Sequence, residues 1–266
     1  MPRKITQHSR IKARAAESAG IRLLCIPGLP EIQKGDDLPR QIAAAARRAH
    51  SGFESGDILV IAQKIVSKSE GRIVKLSRVK PSLQARKLAN TLKRDPRLIE
   101  AILKESRRIV RSEHVLIVET HHGFVCANAG VDQSNVPGVD TATLLPRDPD
   151  RSARRLAAAM RKRTGKRLAV IISDTFGRPW RLGLTNVAIG VAGVPALVDL
   201  RGTHDRDKKP LHATILAVAD ELAAAAGLLM GKAKGTPVII IRGYRFQPVR
   251  DSAARIIRPV HEDLFR

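Results

Sequence analysis

A chain of 266 residues with 43% apolar residues can build one large or two small folded units with a proper core, which excludes wholesale disorder. Its formal net charge of +23 attracts anions, but an aromatic content of 3% leaves almost no base-stacking platforms, so nucleic acid is not the expected partner. No apolar run reaches the length of a membrane span and no secretory leader is visible. Cys25 and Cys126, both in apolar settings, fit buried thiols in a reducing cytoplasm.

Residues 1–18 carry Arg3, Lys4, Arg10, Lys12 and Arg14 and read as a basic, disordered tail. Ile21–Ile26 reads as a first strand, closed by the turn Pro27-Gly-Leu-Pro-Glu-Ile32. Asp36 or Asp37 caps a helix through Gln41–His50, and Gly56-Asp57 turns into the unbroken apolar strand Ile58–Ala62. The stretch Gln63–Gly71 alternates apolar and polar residues and reads as a strand or bend leaving the core. Its Lys64 and Lys68 either address one anion or are simply solvated. Ser82–Leu92 and Pro96–Arg107 have helical spacing, the second capped by Asp95.

Val115–Thr120 is the next strand. His121 and His122 follow it, but adjacent residues on a strand face opposite ways and do not share one metal ion easily. Gly123–Asn135 begins as a strand and turns through Asn128, Gly130 and Asp132, residue types that tolerate tight backbone. Asp148–Arg163 is a basic amphipathic helix. Leu168–Asp174 is a buried strand ending in a carboxylate, followed by Thr175–Trp180. Asn186–Val194 and Ala196–Leu200 are apolar, Arg201–Asp207 is a polar loop, Pro210–Gly231 is the best helix, and Val238–Arg242 is a final strand. Strands and helices alternate, so the class is mixed α/β. The basic residues are scattered along the chain and could equally be a habit of surface composition.

In α/β sheets ligands bind outside the carboxyl ends of the strands. Asp132 and Asp174 are there either as turn and cap residues or as oxygen ligands for a divalent cation. With Lys64, Lys68 and the backbone N–H groups of the Pro27–Ile32 turn they would form a nucleotide-phosphate site. This is one arrangement among many: no G-x-x-x-x-G-K-S/T phosphate loop exists in the chain, and the lack of a serine nucleophile elbow or a convincing Cys–His pair agrees with phosphoryl transfer, which needs no side-chain nucleophile.

Several runs carry a resemblance. They are Gly56–Gly71, Asp95-Pro-Arg-Leu-Ile99, His122–Asn135, Ser173-Asp-Thr-Phe-Gly-Arg-Pro-Trp-Arg181, Asp199-Leu-Arg-Gly202, Ala219-Asp-Glu-Leu-Ala223 and Glu262-Asp-Leu-Phe-Arg266. In this order they resemble the coenzyme F420-0:L-glutamate ligases (gamma-glutamyl ligases) over roughly residues 20–266. The resemblance implies ligation of L-glutamate to the deazaflavin precursor coenzyme F420-0, driven by GTP through an acyl phosphate, with Mn²⁺ or Mg²⁺ and K⁺ as a further candidate ion. It implies an unusual α/β fold of two interleaved subdomains in an intertwined homodimer, a catalytic unit over 19–266, and no nitroreductase-like domain after it.

By the same resemblance Leu29, Pro30, Glu31, Ile32, Gln63, Lys64, Lys68 and Asn135 match nucleotide contacts. So does the loop of Met230, Gly231, Lys232, Ala233, Lys234, Gly235, Thr236 and Pro237. Asp132, Asp174 and Thr175 match the metal site; no side-chain nucleophile is expected. Many members carry a Gln and acidic residues where Lys232 and Lys234 stand here. A protonated lysine has no lone pair to give a metal, which puts a second metal in question. Two alternatives remain: a non-catalytic nucleotide- or polyanion-binding relative, and the same ligase acting on a variant deazaflavin acceptor.

Overall fold

In chain order the strands are β1 (Arg22–Cys25), β2 (Ile58–Ala62), β3 (Ile73–Lys75), β4 (Ser106–Arg111), β5 (Ile117–Thr120), β6 (Val125–Ala127), β7 (Thr141–Thr143), β8 (Ala169–Arg178), β9 (Arg181–Ala192), β10 (Val198–Asp199), β11 (Ile215–Leu216) and β12 (Val238–Arg242). The helices are α1 (Leu38–Arg48), α2 (Gln63–Ser69), α3 (Leu83–Leu92), α4 (Pro96–Lys104), α5 (Pro149–Thr164) and α6 (Val218–Met230). The computed structural model describes residues 20–134, 138, 140–231 and 234–263. The predicted basic tail and the site candidates Asn135, Lys232 and Ala233 lie outside the described residues.

A five-stranded sheet runs in the order β1-β12-β2-β8-β9. Its middle strands, Ile58–Ile61 of β2 and Val170–Ile172 of β8, are fully buried, as unbroken apolar runs covered on both faces must be. β2 and β8 are parallel, and every other pair in this sheet is antiparallel. The apolar core falls into two clusters. One surrounds the large sheet with α1, α5 and α6. The other lies among α3, α4 and the β4-β5-β6 sheet, built from residues between Leu76 and Leu144. The mixed α/β class is therefore as the alternation of elements indicates.

Helix starts follow the polar caps. Asp37, Ser82, Asp95 and Asp148 each accept from a backbone N–H in the first turn of α1, α3, α4 and α5. Proline stands in the first turn of α1, α4 and α5, where its missing N–H is no loss. Gly165 closes α5 with φ 69°.

Three expectations change. Gln63–Ser69 is a helix rather than a strand or bend: it leaves β2 directly and buries Gln63, Ile65, Val66, Ser67 and Lys68. Seven residues are too few for a helical period to stand out from alternation. The helix read over Pro210–Gly231 is confined to Val218–Met230, because the residues before it pair β11 with β10. The strand through Asp174 does not end there. β8 continues to Arg178 and turns into β9, so Asp174 lies within a long hairpin, paired with Val187.

Candidate functional site

Register places four segments at one edge of the large sheet. Parallel pairing sets Ala62 of β2 opposite Ser173 of β8, so Gln63, where the chain leaves β2, lies beside Asp174, which is still within β8. β12 is antiparallel to β2, with Val238 opposite Ile61, and Ala62 N–H donates to Pro237 O at 2.8 Å. The loop before Val238 therefore reaches the same edge. β1 pairs Cys25 with Ile239, and Ile26 N–H donates to Val238 O at 3.1 Å, so the turn after residue 26 arrives there too. This is the carboxyl end of the parallel pair β2–β8, where α/β proteins bind ligands.

The segments enclose a cleft of about 850 Å³. Leu29–Ile32, Gln63, Lys64 and Lys68 line it. So do Asp132, Asp174 and Thr175, and Met230, Gly231, Gly235, Thr236 and Pro237. Of the described candidates only Lys234 stands off the lining; the stem of its side chain lies against Gly231, 3.1 Å from where a Cβ would sit there. The sequence reading thus brought together residues that the fold does bring together.

Each of the two lysines is engaged by a carboxylate rather than standing free in solvent. Lys64 Nζ lies 2.7 Å from Asp132 Oδ2 and donates to Ser134 Oγ at 2.7 Å and Ser134 O at 3.0 Å. Lys68 Nζ, almost fully buried, is bound to Glu31 of the turn after β1. Each ammonium thus faces the cleft beside a carboxylate. Burial by itself raises the Asp132 pKa, but the Lys64 ammonium and the Ser134 N–H outweigh it, so the carboxyl is held below its usual value and stays ionised. Asp132 also accepts from Ser134 N–H at 2.7 Å, so the turn reading and the ligand reading of this residue are compatible.

Gln63 is buried beneath the cleft. Its Oε1 accepts from Ser67 Oγ at 2.8 Å, whereas its Nε2 has no hydrogen-bond partner. A buried amide donor without an acceptor is costly, and an acceptor-rich ligand in the cleft would satisfy it.

Sequence reasoning missed Asn186. Thr175 Oγ1 donates to Asn186 Oδ1 at 3.2 Å, and Asn186 Nδ2 lies 3.5 Å from Ser173 Oγ, so β9 braces the Thr175 side of the cleft. The signal was the hairpin register, Thr175 opposite Asn186, which spacing along the chain does not reveal. Arg94 and Leu98, from the start of α4 and the turn before it, also line the cleft unforeseen. Cys126 lines it as well, but burial and then the Asp174 charge push its thiol up to about 12, so it is no nucleophile near neutrality. His121 and His122 are elsewhere: their Nε2 atoms lie 2.9 Å from Lys104 O and Pro146 O.

The donor set suits a hard divalent cation. Asp132, Asp174 and Thr175 offer oxygen ligands on one cleft, although the Lys64 ammonium already lies against Asp132 and would share it with a bound ion. Among the described residues no three His, Cys, Asp or Glu side chains gather in one place.

Comparison with known proteins agrees in one direction. The family described as F420-0:Gamma-glutamyl ligase matches residues 28–243. A protein of Methanothermobacter thermautotrophicus named coenzyme F420:L-glutamate ligase is 48% identical over 251 residues, covering 93% of this chain and 99% of its own. Proteins of the same name from Methanopyrus kandleri and Methanocaldococcus jannaschii are 45% and 43% identical. They cover 92% and 90% of this chain, and 98% and 94% of their own.

Proposed function

The chain belongs to the F420-0:gamma-glutamyl ligase family, and on that premise we propose that it joins L-glutamate to coenzyme F420-0, driven by GTP through an acyl phosphate. The observation that carries the nucleotide part is the floor of the cleft, where buried Gln63 has an unpartnered donor on the same short helix as Lys64 and Lys68. Three donors on one side of a cleft suit a chain of phosphate oxygens. Asp132 and Glu31 lie on the two ammonium groups, where anionic oxygens of a ligand would compete for them.

In this reading Lys64 and Lys68 hold phosphate oxygens and offset charge that builds up as the γ-phosphoryl group passes to the terminal carboxylate of the acceptor. GDP leaves. The glutamate amine then attacks the acyl carbonyl, loses its proton, and phosphate departs as the amide forms. Such chemistry needs positioning and electrostatics rather than a side-chain nucleophile, which agrees with a thiol at Cys126 that burial keeps protonated. Asp132, Asp174 and Thr175 would hold a divalent ion, which supplies charge neutralisation at the phosphates. Gln63 and the turn around Glu31 orient the nucleotide.

We read the assembly as a homodimer. The support is the β8–β9 hairpin, whose Trp180, Leu182 and Leu184 are exposed by 87%, 99% and 64%. Large apolar side chains grouped on one projecting element mark an association surface, and Leu184 also lines the cleft.

The test is a mass-spectrometric assay with purified protein, coenzyme F420-0, L-glutamate, GTP and Mn²⁺, with ATP in place of GTP as control. A GTP-dependent gain of one or more glutamyl units is the expected result. No gain in mass, with GTP bound or unbound, would overturn the proposed reaction.

A further inference from the structure

The structure gathers charge that the sequence scatters. Between Asp148 and Arg167, eight Lys or Arg side chains are exposed. Five of them, Arg151, Arg154, Arg155, Arg161 and Lys162, recur along α5 at intervals of three, one, six and one. At 3.6 residues per turn they fall within about a third of the helix circumference, centred on exposed Ala158. Lys166 and Arg167 extend the line past the helix end. No ion pair involves any of these seven among the described residues, while Arg163, off the line, is paired with Asp37.

The acidic residues of the same helix do not neutralise the stripe. Asp148 caps the helix through Arg151 N–H at 2.8 Å. Asp150 faces inward, accepting from Val191 N–H and Ala253 N–H at 2.8 and 3.1 Å and from Ser252 Oγ at 2.6 Å. Arg154 also borders a second cleft of about 300 Å³, with Gly193 and Arg250. The Asp251 carboxylate there is already engaged by Ala196 N–H and by Arg255. No residue of α5 lines the large cleft, so this is a separate surface.

From these observations we propose that the α5 face binds the phosphate backbone of nucleic acid without regard to sequence. Four of the five stripe residues are arginines, whose guanidinium forks match phosphate oxygens in pairs. From Arg151 to Lys162 the helix rises about 16 Å, which runs beside roughly five nucleotides of one strand at 3.4 Å each. The alanine at the centre lets a backbone approach closely. No aromatic residue lies between 148 and 167, so the face has nothing to stack on bases and reads charge alone. A lipid surface fits less well: Leu156 and Met160, the large apolar side chains of α5, are buried against the sheet and cannot anchor in a bilayer.

The test uses the full chain and a labelled 20-base-pair DNA duplex of mixed sequence, followed by fluorescence anisotropy from 50 to 300 mM salt. About five phosphate contacts give a slope of log K against log salt near −4.5. Changing Arg151, Arg154, Arg155 and Arg161 together to Gln should flatten that slope by about 3.6 and leave the large cleft untouched. A control changes Arg78, Lys80, Arg86 and Lys87 to Gln, an equal loss of charge from exposed positions elsewhere, and should leave the slope near its parent value. Circular dichroism checks that both variants fold. Equal loss in the control, a parent slope in the α5 variant, or no binding at 50 mM salt would each overturn the proposal. So would tighter binding to phosphatidylserine vesicles than to the duplex, abolished by the same four changes.

Discussion

Replacing Asp132 with Asn separates what this carboxylate does for the fold from what it does for a ligand. Its nearest charge is Lys64 Nζ at 2.7 Å, with side chains 39% and 20% exposed. At an effective dielectric of about 20 the gross attraction is about 6 kcal/mol. Desolvation and side-chain ordering cancel most of that, and partly exposed pairs of this kind contribute about 1 kcal/mol net. Asn keeps an oxygen for the Ser134 N–H, which the carboxylate bonds at 2.7 Å. The variant should therefore lose about 1 kcal/mol, or about 2–4 °C in thermal midpoint for a chain of this size.

The effect on a bound divalent ion is of another order, because an amide carries no charge. Metal-dependent nucleotide affinity should fall at least a hundredfold, about 2.7 kcal/mol. Paired calorimetric titrations of GTP, with and without Mn²⁺, measure it. The pH dependence has a definite sign. The folded carboxyl has a lowered pKa, so its contribution to stability is fully present above the unfolded value of about 3.9 and is lost as pH falls through the folded one. From pH 5 to 8 Asp132 stays ionised and adds no titration to binding. Metal-dependent affinity equal to the parent's in Asp132→Asn would refute the ligand assignment, whatever the thermal midpoint does.

Three further outcomes are expected. Cys126, with its thiol pushed up to about 12, should react with iodoacetamide at pH 8 about a thousandfold more slowly in the folded protein than in urea, read by peptide mass spectrometry. Gly190→Ala would place a Cβ 2.5 Å from the Pro149 carbonyl, where β9 meets the start of α5. Backbone cannot yield cheaply, so a loss of about 2 kcal/mol should appear as a thermal midpoint lower by about 4–8 °C. If the proposed homodimer forms through the hairpin, changing Leu182 to Glu, with Trp180 to Ser, should give a monomer by light scattering with an unchanged circular dichroism spectrum; a parent protein that is already monomeric, or a dimer that persists in the variant, would remove the hairpin from the interface.

The parts of the fold legible in sequence are those decided locally. Val238–Arg242 matches β12 end for end, Asp95 caps the helix it was read to cap, and Asp37, one of two candidates, caps α1. Helix α2 was misread because its neighbours cover it nearly all round, so Lys68 and Gln63 are as buried as Ile65 and no apolar face shows. The outer half of β9 was not read as strand at all: Arg181–Leu184 is exposed and held by its pairing with β8 rather than by burial. The basic residues are spread along the whole chain, and the helix over Asp148–Arg163 was already legible as basic and amphipathic. Counting Lys and Arg along the chain misses that the acidic residues of α5 are consumed by backbone while its arginines are not.

The cleft itself depends on two things with different visibility. Its strand-end residues follow from the sheet: once β2 and β8 pair in parallel, Gln63, Lys64 and Asp174 share an edge, whatever the loops do. Asp132 obeys no such rule. It comes from the cluster around α3 and α4, held by a bridge to Thr143, and is tied to α2 by Lys64. The Lys64–Asp132 pair thus joins the two cores at the point where a phosphate ligand would sit. A divalent ion on both carboxylates would make the same connection with a stronger charge. Asp174, by contrast, is seated on β8 and paired with Val187 of β9, so the two carboxylates of the cleft are held by different parts of the fold.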